Sequence, residues 1–356
     1  MDNIKRYKIK LTALAPIFIG SGRKINKCEY VFANNKVYVI DPDKLMDVII
    51  KRNLTQRYIN FMSRGGENVR LKSWLDSAGI KDYQSIAAYT LTGMRNINDR
   101  NGIQAFIKDA YNRPYIPGSS LKGMLRSVIL WNEVYSNDGR VKKTARNAAA
   151  AARTSDGKHI KKELAKHSDE LERMFFTEEI DKTRVSNMRG LSISDSKPFA
   201  LGDLTLCEKI DISDKGRKKP INIMRECIKP GVIVEFDMTV DERIFKYSLA
   251  DLRRMIEDYS IDYSNIVTYA FVDNEEEKNA LFLGGGAGYF SKTVTYSLFD
   301  EDGAVEFARN YLRKTTPRKH KHENDYNISP HMRKCTIYNG ETYEMGKCGI
   351  EIEPAE

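Results

Sequence analysis

Tyr7, Ile9 and Leu11 alternate with Lys8, Lys10 and Thr12. That period of two marks a strand with one buried face, and the pattern stops at Pro16. Tyr30-Val31-Phe32 and Val37-Tyr38-Val39-Ile40 flank Asn34-Asn35 and predict a hairpin. Asp41 caps a helix with Pro42 in its first turn and Leu45, Val48, Ile49 and Leu54 on its apolar side. From about Met62 to Asp109 the pattern is helical in places and resists assignment. Ser119 or Ser120 then starts a helix through Leu121, Leu125, Val128, Ile129 and Trp131.

Strand character returns at 191–194 and 204–206. It is clearest over Val232 to Val240, where Val232, Val234, Phe236, Met238 and Val240 oppose Glu235 and Asp237. Ser248 caps a helix carrying Leu252, Met255 and Ile256, and a further helix has Val305, Ala308 and Leu312 on one stripe. Asn339-Gly340 predicts a hairpin turn in the tail. Hairpins mixed with single helices predict an α+β fold with antiparallel sheets. The β-α-β-β-α-β ferredoxin-like unit fits, used twice.

The 356 residues carry a net charge of +9, which suits a polyanionic partner. Its distribution says more. Arg140 to Lys166 holds nine Lys/Arg against two acids, Lys215 to Lys229 six against one, and Arg313 to Lys334 seven against two. These stretches predict either a track for a phosphate backbone or solvated loops. Ala148 to Ala152 favours helix intrinsically, but with few large apolar neighbours it predicts an exposed or mobile insertion. The five cysteines form no CxxC pair, so buried or idle thiols are expected rather than a zinc site or disulfides. No apolar run is long enough to span a bilayer and no signal region opens the chain, which places the protein in the cytoplasm.

Three glycine-containing motifs stand out: Pro16-Ile17-Phe18-Ile19-Gly20-Ser21-Gly22, Tyr115-Ile116-Pro117-Gly118-Ser119-Ser120-Leu121-Lys122-Gly123, and Leu283-Gly284-Gly285-Gly286-Ala287-Gly288. Glycine lets a backbone approach a phosphate closely. The second motif also sets hydroxyls and amides at a helix N-terminus, where the dipole favours an anion. Lys122 and Arg126 are one turn apart and share a helix face. Plain turns are the simpler use of each glycine cluster. The third is not a Walker A loop, since no Gly-Lys-Ser/Thr follows, and it lacks the context of a dinucleotide fingerprint.

Taken together, in this order, the three motifs resemble the landmarks of the RAMP superfamily of CRISPR proteins. Tyr38 to Leu45, Ser192 to Ser196 and Arg225 to Gly231 are similar to the type III-A Csm subunits that cap the crRNA 3′ end. The resemblance implies two ferredoxin-like (RRM-like) RAMP folds with helical insertions. The expected division is an N-terminal RRM-like domain over 1–135, with a helical insertion at about 42–109 and a closing strand at 191–196. A basic, mobile helical insertion over 136–185 and a C-terminal RRM-like domain over 186–356 follow.

The implied partners are crRNA, neighbouring Csm backbone RAMP subunits and host nucleases that trim the 3′ end, with target RNA contacted only indirectly. No cofactor, metal or membrane is implied. The expected RNA-binding residues are Gly20, Ser21, Gly22, Lys24, Ser119, Ser120, Lys122, Arg126, Gly284, Gly285, Gly286 and Lys292. Phe18, Tyr289 and Phe290 are candidates either for base stacking or for the core.

Some RAMP proteins cut RNA, so an endoribonuclease is the competing class. A processing enzyme of this kind uses a histidine as acid or base. His159, His167, His320, His322 and His331 all lie in or near Lys/Arg-rich stretches away from the glycine landmarks, and are expected at the solvated surface. Target-cutting RAMP subunits use an aspartate soon after the Gly-Ser-Gly landmark. Here Arg23 to Tyr30 offers only Glu29. A non-catalytic binding subunit is therefore expected, at the 3′ end rather than at the crRNA 5′ tag.

Overall fold

A computed structural model of the protein describes residues 3–63, 69–93, 102–180, 183–272, 279–316 and 322–355. The strands are β1 (Ile4–Ala13), β2 (Gly20–Ile25), β3 (Tyr30–Ala33), β4 (Lys36–Ile40), β5 (Ala87–Leu91), β6 (Ile103–Phe106), β7 (Thr177–Ile180), β8 (Thr183–Ser186), β9 (Leu191–Ile193), β10 (Leu204–Ser213), β11 (Lys218–Ile228), β12 (Ile233–Asp241), β13 (Leu281–Phe282), β14 (Met332–Tyr338), β15 (Glu341–Glu344) and β16 (Lys347–Pro354). The helices are α1 (Pro42–Lys51), α2 (Thr55–Ser63), α3 (Leu71–Ser77), α4 (Gly118–Ser136), α5 (Asp138–Thr154), α6 (Ile160–Phe176), α7 (Leu249–Ile266), α8 (Thr295–Leu298) and α9 (Glu301–Thr315).

The first strand lies at the centre of the first sheet, whose order is β13-β16-β1-β12-β9. Leu11 faces Val234 on β12 and Ile350 on β16, both antiparallel. Ile9, Leu11, Val234, Phe236, Met238 and Ile352 are buried, as the alternation predicts. In chain order β1-α4-β9-β12-α7-β16 is β-α-β-β-α-β, so this sheet carries one ferredoxin-like arrangement. Helices α4 and α7 meet through Trp131 and Tyr259, edge to face with ring centroids 5.4 Å apart.

The second sheet has the order β15-β14-β10-β11-β6-β2, with β11 parallel to β6, which is a different topology. Sheet boundaries thus do not follow the expected split between 1–135 and 186–356. Residues 4–13 pair with 233–241 and 348–354, because a central strand needs partners on both edges.

The expected helical insertion at 42–109 is mixed. Strands β3, β4 and β5 form a third sheet under α1 and α3, with their own core of Val31, Leu45, Ile49, Leu71, Trp74 and Leu75. Asp41 caps α1 by accepting from the amides of Asp43 (3.0 Å) and Lys44 (3.3 Å). Asn34 and Asn35 take positive φ in the β3–β4 turn, and Asn339 and Gly340 do so in the tail hairpin. Buried Glu226 on β11 ties this sheet to the second. It accepts from the Phe106 amide (2.8 Å), the Lys108 ammonium (2.6 Å) and the Tyr89 hydroxyl.

Within the basic segment, α5 and α6 each pack an apolar face rather than standing exposed. Helices α5 and α6 bury Val141, Ala148, Ala152, Leu171, Phe175 and Phe176. Small alanine side chains let α5 lie close to its neighbours, so two of the five are core residues. Lys314 of α9 satisfies the end of α5, donating to the carbonyls of Ala152 (2.7 Å), Arg153 (2.7 Å) and Ser155 (2.9 Å). Among the described residues no helix is long and apolar enough to cross a membrane. Lys314→Met is expected to lower the unfolding free energy by about 1–3 kcal/mol, because three carbonyls lose a charged donor. Urea unfolding of the two proteins measures it, and an unchanged midpoint contradicts the capping role.

Candidate nucleic-acid interface

Helix α4 begins at Gly118, one residue before the serines expected to start it. A Cβ on Gly118 would stand 2.2 Å from the Ile193 carbonyl oxygen and 2.3 Å from that of Ser194. Only glycine allows this docking on the end of β9. The Gly118 amide donates to Asp195 Oδ1 (2.9 Å). The Ile116 amide donates to Ser196 Oγ (2.9 Å), and the Ser196 amide returns to the Ile116 carbonyl (2.9 Å). Asp195 therefore already meets the positive end of the helix dipole. Ser119 is exposed and Ser120 half-buried.

The third landmark locks onto the first. Gly284 has φ +86°, and a Cβ there would lie 2.3 Å from the Phe18 carbonyl oxygen. The Gly285 amide donates to the same oxygen (2.7 Å). Phe18 is buried, with the Arg225 guanidinium 5.1 Å from its ring centroid. On β2, Ser21 Oγ donates to the Ala105 carbonyl (3.2 Å), while Gly20, Gly22 and Lys24 are exposed.

The second and third landmarks share a cleft of about 310 Å³. Ser119, Ser120 and Gly123 form one wall, and Gly284, Ser291 and Lys292 the other. Neither a carboxylate nor an imidazole is among its described lining residues. Such a set offers hydroxyls, amides and one ammonium, which suits a phosphate. Desolvation lowers the pKa of Lys292, although part of the side chain reaches solvent. An adjoining cavity of about 520 Å³ shares Ser127, Tyr259, Ser291 and Lys292 and adds the rings of Trp131, Phe299 and Tyr311.

Several expected contacts have internal partners. The Lys122 ammonium donates to the Leu191 carbonyl (2.7 Å), and its pKa is lowered by burial and by Arg126. Arg126 pairs with Glu172 and lies over the Phe176 ring, 5.3 Å from its centroid. Their spacing suits a phosphate, but α6, within the expected helical insertion, takes one and β9 the other. Phe18 and Phe290 are core residues and are not available for stacking. Tyr289 is half-buried, and its hydroxyl is 2.7 Å from Thr295 Oγ1.

A cation cluster was not visible in the sequence. Lys334 lies 2.9 Å and Lys209 3.7 Å from Asp211, which shares β10 with Lys209, while Lys334 is on β14. Arg225 on β11 stands beside them. Burial lowers the pKa of Lys209, and repulsion from Lys334 adds to the effect. Arg225 is also lowered by burial. Two lysines thus share one carboxylate, and Arg225, which donates to Gln104 Oε1 (3.0 Å), lies close enough to Lys209 to add to the positive charge next to the third landmark. A Cβ on Gly286 would be 2.7 Å from Arg225 Nη1, and one on Gly288 3.5 Å from Lys334 Cγ. Alternation along each strand was the available signal, but only strand order brings the three together.

The expectation for the histidines needs correction. His159 is exposed and paired with Asp156 (2.9 Å), but His322 is buried and His331 is only partly exposed, both against Asp325. His320 lies outside the described residues. Glu29 is committed to a turn, accepting from the Asn26 amide (2.8 Å) and pairing with Arg23. All five thiols are free and four are buried.

The model of the RAMP superfamily matches residues 10–315. A relative from Streptococcus thermophilus, the CRISPR system Cms protein Csm5, is 30% identical over 338 residues, covering 88% of this chain and 86% of its own length. The protein of that name from Mycobacterium tuberculosis is 27% identical and covers 99% of both chains. Among solved structures, a chain of a Csm–crRNA–target RNA ternary complex from a type III-A CRISPR-Cas system superposes with a TM-score of 0.64 at 18% identity, over 97% of this chain and 100% of its own. The crystal structure of T. onnurineus Csm5 gives a TM-score of 0.60 at 19% identity, over 96% of this chain and 99% of its own. At these identities the structures speak for the fold. By the sequence matches, the chain belongs to the RAMP superfamily and, within it, to the Csm5 family of CRISPR proteins.

Proposed function

We propose that the chain is a non-catalytic, RNA-binding subunit of a type III-A Csm effector complex, acting in the cytoplasm. In this reading it caps the 3′ region of the crRNA, contacts neighbouring backbone RAMP subunits and supports 3′-end maturation by recruited host nucleases. The observation that carries the RNA-binding part is the shared cleft. Two glycine landmarks more than 150 residues apart wall one phosphate-sized space, with Lys292 inside it and Lys209, Arg225 and Lys334 beside the same loop. Backbone amides, hydroxyls and ammonium groups contact phosphates without reading bases, as a variable guide requires. The 3′ position is supported by the family relationship.

Support for a binder over a nuclease comes from what lines the cleft and from Glu29, which serves a turn rather than facing a scissile phosphate. Charge reversal at Lys122 or Arg126 would strike the fold, since each has an internal partner. The reading instead predicts that Lys292→Gln with Lys334→Gln weakens crRNA retention in the assembled complex or yields heterogeneous 3′ ends. The slope of log affinity against log salt should become shallower by about 1.4, or about 0.7 for each lost single-strand contact. Unchanged retention, crRNA lengths and salt slope would remove the cleft from the RNA path. The purified chain is also expected to leave crRNA and target RNA uncut with or without divalent metal. Specific cleavage that disappears on substitution of a histidine would refute the non-catalytic reading.

A further inference from the structure

Residues 322–331 lead into β14 and contain neither helix nor strand. Few large apolar groups hold them: Ile328 is buried, but Tyr326 is 72% exposed. A polar knot stands in place of a core. Asp325 is buried, and its two carboxylate oxygens each face one imidazole. His322 Nδ1 lies 2.9 Å from Oδ2, and His331 Nδ1 lies 2.6 Å from Oδ1. Ser329 Oγ donates to Oδ2 (2.8 Å) and so fixes the carboxylate's orientation. The Ser329 amide and carbonyl both bond the Tyr296 hydroxyl (3.0 and 2.9 Å), which anchors the segment to α8. One nitrogen of each histidine and one carboxylate oxygen converge within 4.8 Å of one another.

Two imidazole nitrogens and one carboxylate oxygen form the donor set of zinc and its neighbours in the first transition row. In a tetrahedral array with bonds of about 2.0–2.1 Å, ligand atoms stand about 3.3 Å apart. To reach that spacing the nitrogen–oxygen contacts of 2.9 and 2.6 Å open by less than about 1 Å, and ligand atoms as far as 4.8 Å apart close by up to about 1.5 Å, through rotation of the side chains. We propose that His322, Asp325 and His331 form a structural site for a divalent transition metal, with zinc as the fitting ion. Ser329 is the outer partner that orients the carboxylate. His331, 31% exposed, leaves an approach for a water as fourth ligand. The ion would cross-link a segment that lacks its own apolar core, and so hold β14, which bears Lys334, against α8. The inference does not depend on the RNA-binding reading, and its test uses no RNA.

The experiment uses the full chain without a histidine tag, purified without chelator and analysed for bound metal. About one zinc per chain is expected. A chelator should lower the melting temperature by several degrees, and added zinc should restore it. Asp325→Asn keeps the size and a hydrogen-bonding oxygen but loses the anionic ligand, and should bind zinc at least about tenfold more weakly. Should that variant fail to fold, cobalt loading of the unaltered chain gives the second readout, with visible bands of a four-coordinate nitrogen–oxygen site expected. Metal-free protein whose melting ignores both zinc and chelator overturns the proposal. So does zinc bound equally by Asp325→Asn, or cobalt that stays octahedral.

Discussion

The site depends on where the chain begins. Strand β1 is the middle of a sheet whose neighbours are contributed by β12 and β16, hundreds of residues later. The turn that leaves β1 is thereby fixed against the start of β16, and β13, which pairs with β16, runs directly into the glycine loop. The amide of Gly285 then has the Phe18 carbonyl as its partner at 2.7 Å, and only a glycine at 284 allows the approach. On the other side of the sheet's order, β9 lies beside β12 and supplies the carbonyls against which Gly118 packs. One ferredoxin-like pairing therefore gathers all three landmarks, without any of them being near another in sequence.

This changes what the glycines are for. Read alone, each cluster suggests backbone held open for a phosphate. In the fold, Gly118 and Gly284 spend their missing side chains on protein backbone, and the phosphate-sized space arises between the elements they lock together. The docking glycines are structural, while Ser119, Ser120 and Lys292 face the cleft. Lys122 shows the same division, since its ammonium holds the Leu191 carbonyl beside the docked strand.

Elements with a strong period and a clear cap were legible in the sequence. Asp41, Ser248 and the alternation of β12 mark their elements because the signals are local. Strands β5 and β6 were not legible, since their burial comes from partners in other parts of the chain. The five alanines misled for a related reason: a small residue looks like surface until a neighbouring helix is known to approach it. His322 and His331 lie among lysines and arginines in sequence, yet a single buried aspartate between them turns both inward. The cluster of Lys209, Arg225 and Lys334 depends on strand order, which no window of sequence contains.

The central claim is that the cleft between the start of α4 and the glycine loop lies on the RNA path at the 3′ end of the crRNA. Photo-crosslinking of the assembled complex, with crRNA carrying a photoreactive nucleotide at successive positions, addresses it most directly. The account predicts crosslinked peptides from 119–127 and 284–292, and only with nucleotides of the 3′ region. Crosslinks confined to the outer face of α5 and α6, or arising from the 5′ tag, would contradict it.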